Sequence, residues 1–252
     1  MSNDAVPVEE HAEASPAAES SDWAPWGFWA TLGLGALVLI ASVLLQTVTV
    51  IAMGENPGDI ESLQTDAGFL STAMLVSNIG CTLLILLLVV RRKGATISGY
   101  LALRWPGWRG LLTWVLVAAV VVALLDVITH LLGRETVPEW WMDVYATVKV
   151  PLFIGLATVV AAPLFEETLF RGFLFSGLSR SKLGVAGTII VTAALWAVIH
   201  GQYDAYQIAQ VFVLGLLLGV ARHRTNSLIV PFLIHAANNL VANIQVALVI
   251  QG

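Results

Sequence analysis

The run from Leu111 to Leu132, LLTWVLVAAVVVALLDVITHLL, decides the fold class. It carries one acid, Asp126, and one histidine, His130, and is otherwise apolar over the length that crosses hydrocarbon, about 20 residues. Similar runs recur at about Trp26–Met53, Gly68–Val90, Leu183–His200, Ala205–Val220 and Ser227–Ile250, with another beginning near Pro151. Hydrophobic residues make up 58% of the chain and charged residues only 12%, with a mean hydropathy of +0.83. Soluble domains carry roughly twice that charge. The pattern predicts an all-α polytopic membrane bundle of about seven transmembrane helices, within a range of six to eight.

Working outward, residues 1–24 hold Asp4, Glu9, Glu10, Glu13, Glu19 and Asp22 among Ala, Ser and Pro, without Lys or Arg. They read as a disordered acidic tail, leaving residues 25–252 as the transmembrane domain. The tail lacks the basic region of a secretory signal, so the first span is expected to be retained. Glu139–Asp143 reads as a short interfacial helix, and the lone Cys81 as a packed apolar residue. Trp23, Trp26, Trp29, Trp105 and Trp108 are placed as interfacial anchors.

Basic residues collect after the second, fourth and sixth spans: Arg91, Arg92, Lys93, Arg104, Arg109, Arg180, Lys182, Arg222 and Arg224. That asymmetry predicts a cytoplasmic N-terminus in a plasma (inner) membrane. The bilayer is the expected environment, and no nucleic-acid partner is expected.

Three polar groups interrupt the apolar spans of the C-terminal part, about residues 150–250. The first is Glu166-Glu167-Thr168-Leu169-Phe170-Arg171. Ionisable groups in hydrocarbon are costly and mark functional sites. Glu167 and Arg171 are i,i+4 neighbours in the favourable acid-first order and are expected to pair. Glu166 is rotated about 100° away and lacks that partner, which makes it the candidate general base. The second group is His200, which ends the fifth span after Trp196. The third is His235 with Asn239, which share a helix face that Asn243 continues.

This chemistry suits peptide hydrolysis. A carboxylate and an imidazole can hold and deprotonate water, and His and Asn can donate to an oxyanion. Equally, Glu166, His200 and His235 could bind a catalytic zinc, although the H-E-x-x-H helix is absent. Counted at about 1.5 Å per residue from the basic ends, Glu166 and His200 lie at similar depths, and His235 about 10 Å shallower. Asp126 is expected to find a partner or line the cavity, and His130 to be interfacial. A membrane scaffold or immunity protein, and less so a proton-coupled transporter, are the rival readings. The transporter reading lacks an internal repeat.

In these residues the sequence resembles the CAAX prenyl endopeptidase and bacteriocin-processing (CPBP, abortive-infection) intramembrane proteases. Their pattern is E-E-x-x-x-R, F-x-x-x-H and H-x-x-x-N/D. Glu166–Arg171 matches the first, His200 the second with Trp196 in the phenylalanine position, and His235 with Asn239 the third. The resemblance covers about Pro163–Asn243. It implies an intramembrane endopeptidase in which Glu166 and His200 activate water. His235 and Asn239 would form the oxyanion hole, with Glu167 and Arg171 holding the motif in place. The family is classed with metalloproteases, yet its eukaryotic members imply metal-free glutamate chemistry, with zinc as the open alternative. It further implies a peptide or protein substrate, lipidated in the eukaryotic members.

Overall fold

The computed structural model describes residues 23–56 and 58–251, so most of the acidic tail lies outside the described residues. Apolar runs become helices because hydrocarbon offers no partner for backbone N–H and C=O groups, and a helix satisfies its own. The long helices are α1 (Phe28–Ala52), α3 (Ala67–Val90), α5 (Gly107–Leu131), α7 (Pro151–Leu178), α9 (Ala205–Thr225) and α10 (Ile229–Gln251). Short helices α2 (Ile60–Thr65), α4 (Ile97–Leu101) and α6 (Glu139–Ala146) lie in the connections. The interfacial helix expected after the third span is α6.

Among the described residues, six helices are long and apolar enough to cross a membrane, and α8 (Gly184–Val198) is a shorter apolar one of 15 residues. The protein is a multi-pass helical membrane protein. At about 1.5 Å per residue α8 covers about 22 Å, less than the roughly 30 Å of hydrocarbon. It stops at the break His200–Asp204. There Asp204 caps α9, accepting from Gln207 N at 2.9 Å while its own N donates to Gln207 Oε1 at 3.1 Å. This reciprocal capping box fixes where α9 begins.

The most enclosed span is α7. Phe165, Leu169, Phe170, Phe173, Leu174 and Leu178 all face the core. By contrast α5 leaves Leu116, Leu124 and Leu131 on an outward apolar face, as a lipid-facing helix does. α7 is also irregular, with π-helical segments at Leu156–Ala161 and Thr168–Leu174. A π turn widens the helix and shifts its carbonyls out of the i→i+4 register, and such turns often mark functional sites. Two of these carbonyls take side-chain donors from other helices: Thr158 O from Asn239 Nδ2 at 2.9 Å, and Arg171 O from Arg222 Nε at 3.0 Å.

Small residues set the helix spacing. Gly215 and Gly219 of α9 face α8, where a Cβ would sit 3.0 Å from Ala193 Cβ and from Ile189 Cγ2, respectively. On the other side of α7, Gly177 lies flush against the buried Thr31 of α1. A methyl at Gly177 would overlap the Thr31 side chain at Oγ1, Cγ2 and Cβ together, and a buried β-branched side chain has no long flexible end to swing aside. Gly177→Ala is therefore expected to destabilise the fold by about 1–3 kcal/mol. Thermal unfolding in detergent would show a lowered midpoint, and adding Thr31→Ala would restore part of it.

Candidate functional site

The site is assembled from the middle of α7, the end of α8 and the first turns of α10. Arg171 is fully buried and organises it. Its Nη1 donates to Glu167 Oε1 at 2.9 Å, and its Nη2 to Gly215 O at 3.2 Å. Its guanidinium also lies 4.5 Å from the centre of the Trp196 ring. The absence of a side chain at Gly215 lets α9 bring a backbone carbonyl to the cation.

Glu167, 1% exposed, shares that same Oε1 with His235 Nδ1 at 3.0 Å. A carboxylate accepts only, so Nδ1 carries the hydrogen and the imidazole is fixed with Nε2 on its other side. Nε2 faces Glu166 Oε2 at 4.0 Å, too long for a direct hydrogen bond. Glu166 is 15% exposed, and the indole Nε1 of Trp196 donates to its Oε2. The two acids thus do different things. Glu167 neutralises Arg171 and orients His235, while Glu166 looks onto the space between His235 and Trp196.

The structure corrects the depth estimate for His235. Helix α10 does not start level with the end of α7. Leu228 N donates to Ala102 O at 2.9 Å, and a Cβ on Gly172 would lie 3.5 Å from Leu228 Cδ2. The start of α10 is therefore level with Gly172, short of the end of α7, and His235 rises to meet Glu167.

His200 is placed one turn beyond Trp196, and its Nδ1 donates to Trp196 O at 2.7 Å. Its ring stands edge-on to Trp196 at 5.2 Å and stacks on Tyr203 at 5.8 Å. No hydrogen bond joins it directly to Glu166 among the described residues. Burial, together with the negative charge of Glu166, pushes the Tyr203 phenol up to about 12, so it stays protonated at neutral pH. Asn239 lies one turn past His235, with one amide hydrogen on Thr158 O. Asn243 extends the chain, accepting from Thr158 Oγ1 at 3.2 Å and from the Tyr145 hydroxyl. Asp126 lines a small cavity of about 190 Å³ with Glu135, Gln210 and Asn238, and His130 is exposed.

A zinc held by Glu166, His200 and His235 does not fit this arrangement. Trp196 stands among the three, its ring 5.2 Å from that of His200 and 5.1 Å from that of His235, with its N–H on the Glu166 oxygen. On that oxygen a donor hydrogen sits where a cation would bind. No group of three His, Cys, Asp or Glu among the described residues is arranged to hold a metal. Trp196 and Tyr203 are the members that residue-type reasoning passed over. The signal available for Trp196 was its i−4 spacing from His200.

A multi-pass helical membrane protein with a buried Glu-Glu-Arg-His cluster is the class this geometry defines. The family model described as Rce1-like, type II CAAX prenyl endopeptidase Rce1-like, matches residues 147–241. That match spans all three motifs, Glu166–Arg171, Trp196–His200 and His235–Asn239, so the similarity falls where the motifs implied it. The chain is also 33% identical over 132 residues to an Escherichia coli protein described as an uncharacterized 24.3 kDa protein. That match spans 48% of this chain and 58% of the relative's length. No solved structure matches the chain.

Removing Glu167 would leave Arg171 buried without its counter-charge. Glu167→Ala is expected to cost about 3–5 kcal/mol and to lower the yield of monodisperse protein. Size-exclusion profiles and melting midpoints compared with Glu166→Ala, which leaves the Arg171 pair intact, check this difference.

Proposed function

We propose that the protein is an intramembrane endopeptidase that hydrolyses a peptide bond near the membrane with water activated by Glu166. The observation that supports this most is the second acid. Of the two acids Glu167 alone bonds Arg171, yet Glu166 lies next to it, 15% exposed and facing His235. An additional buried acid has no structural benefit, whereas a base beside an imidazole does chemical work.

In this reading Glu166 takes a proton from water as the oxygen attacks the scissile carbonyl, and His200 borders the water on the Trp196 side. The carbonyl oxygen becomes an oxyanion. Asn239 has a second amide hydrogen beyond the one on Thr158 O, and His235 has an Nε2 that donates when the ring carries both protons. Both are suited to hold that oxyanion. Glu166 then returns its proton to the leaving amine. Glu167 and Arg171 are positioning residues that fix His235 and the motif helix. The substrate is a peptide or protein segment, with or without a lipid. The basic residues put the N-terminus and the Arg104–Arg222 end in the cytoplasm of a plasma (inner) membrane.

The test is cleavage of a labelled peptide library, prenylated and plain, by purified protein with and without a chelator. Glu166→Gln is expected to reduce cleavage by about 100-fold or more while melting like wild type. Chelation is expected to leave wild-type cleavage in place. Equal cleavage by Glu166→Gln and wild type would refute the base assignment. Loss of cleavage on chelation with recovery on zinc would refute the metal-free chemistry.

A further inference from the structure

At the end of the bundle remote from His200, the segment Ala102–Arg104 is tied to the start of α10. Leu228 N donates to Ala102 O at 2.9 Å, and Ser227 Oγ donates to Arg104 O at 2.5 Å. Ala102 and Asn226 both adopt the left-handed region, with φ of 52° and 46°. Such geometry is unfavourable for a residue like alanine, so the surrounding contacts must hold it. Between these segments, α4 and the end of α7 lies a cavity of about 1070 Å³.

Its charged lining is all of one kind. Arg104, Arg180 and Arg222 face it, with His223, and no Asp or Glu among the described residues lines it. Arg222 is only 5% exposed and forms no ion pair among the described residues. Its guanidinium is held in place by Arg171 O at 3.0 Å, Asn226 Oδ1 at 3.2 Å and the Phe175 ring at 5.1 Å. The charge of Arg104 bears on it, which adds repulsion between like charges. Arg180 rests over the Trp23 ring at 5.6 Å. The Tyr100 phenol is pushed up to about 12 by burial, so it contributes no negative charge. The hydroxyls of Ser98 and Ser179 add neutral donors to the wall.

A preorganised buried guanidinium with like-charged neighbours and no carboxylate partner among the described residues is costly by itself and is relieved by an anion. Arginine forks match tetrahedral phosphate oxygens, and hydroxyls complete such sites. The level of the cavity selects among phosphates. Trp105 and Trp108, which follow Arg104 directly, are exposed and packed edge to face, as interfacial tryptophans at headgroup depth are.

We propose that this cavity is a binding site for a phosphate group, presented by the headgroup of an anionic phospholipid. It is separate from the Glu166 site and does not depend on proteolysis. Arg222 reads the phosphate from within, Arg104 and Arg180 close over it, and the acyl chains remain in the bilayer.

The test is native mass spectrometry of the purified full chain with phosphatidylglycerol or phosphatidylcholine of identical acyl chains, alongside melting in each lipid and in inorganic phosphate. Phosphatidylglycerol is expected to be retained over phosphatidylcholine and to raise the melting midpoint. Arg222 also supports α7, so the variants are the exposed Arg104→Gln and Arg180→Gln. Each is expected to weaken phosphatidylglycerol retention about fivefold at low salt, with Lys93→Gln as the unaffected control. Inorganic phosphate that stabilises the protein and displaces phosphatidylglycerol supports the same site and shows that the headgroup phosphate is what is read. Stabilisation by inorganic phosphate without lipid preference, lost in the same variants, keeps the phosphate site but overturns the lipid source. Equal retention of the two lipids with no effect of inorganic phosphate overturns the proposal. So does a double variant that behaves like Lys93→Gln.

Discussion

The buried ion pair between Arg171 and Glu167 constrains everything around it. A guanidinium with no exposure inside a span cannot rely on water, so the protein must bring partners to it from several helices. Glu167 comes from its own helix, a carbonyl from Gly215 on α9, and a ring face from Trp196 on α8. Each partner sets a helix-to-helix distance. The close approach at Gly215 follows from the need to present backbone, not side chain, to the cation. The network is still incomplete among the described residues, where Arg171 Nε and Glu167 Oε2 lack partners. Orphaned buried groups cost about 1–3 kcal/mol each, a price commonly met at functional sites and seldom in purely structural cores.

The same arrangement separates two acids that are adjacent in sequence. Neighbouring positions on a helix diverge by about 100°, so only one of the pair can meet Arg171. Glu167 takes that role and also orients His235. Glu166 is left to face His235 Nε2 across 4.0 Å, with Trp196 donating to that same oxygen, Oε2. In this chain the aromatic residue that precedes the second histidine carries an N–H, which a phenylalanine cannot supply. It therefore fixes the carboxylate as well as filling space. The π-helical segments on either side of the acids free carbonyls that Asn239 and Arg222 occupy, which ties α9 and α10 to the motif helix.

Much of this was legible in the chain itself, and the reason is local. Spans declare themselves because hydrocarbon tolerates neither unpaired backbone nor scattered charge. The Glu167–Arg171 pair follows from helical periodicity alone. The short helix after Gly133 and the break at Gly201–Asp204 follow from composition and capping residues. Among the described residues, six full-length spans and one short apolar helix stand where about seven spans were expected, because the capping box at Asp204 and the His200 break curtail α8.

What the sequence by itself determined is which segments leave water, which ionisable residues go with them, and which residues share a helix face. The tertiary structure decided how the helices slide past one another. His235 reaches Glu167 only because the bond from Leu228 to Ala102 starts α10 level with Gly172, short of the end of α7. Trp196, not His200, meets Glu166 because Gly215 and Gly219 set the seat of α8 against α9. The arginines of two connections and of the last turn of α9 surround one cavity for the same reason. Such offsets depend on contacts between residues distant in sequence, and no periodicity within a single helix encodes them.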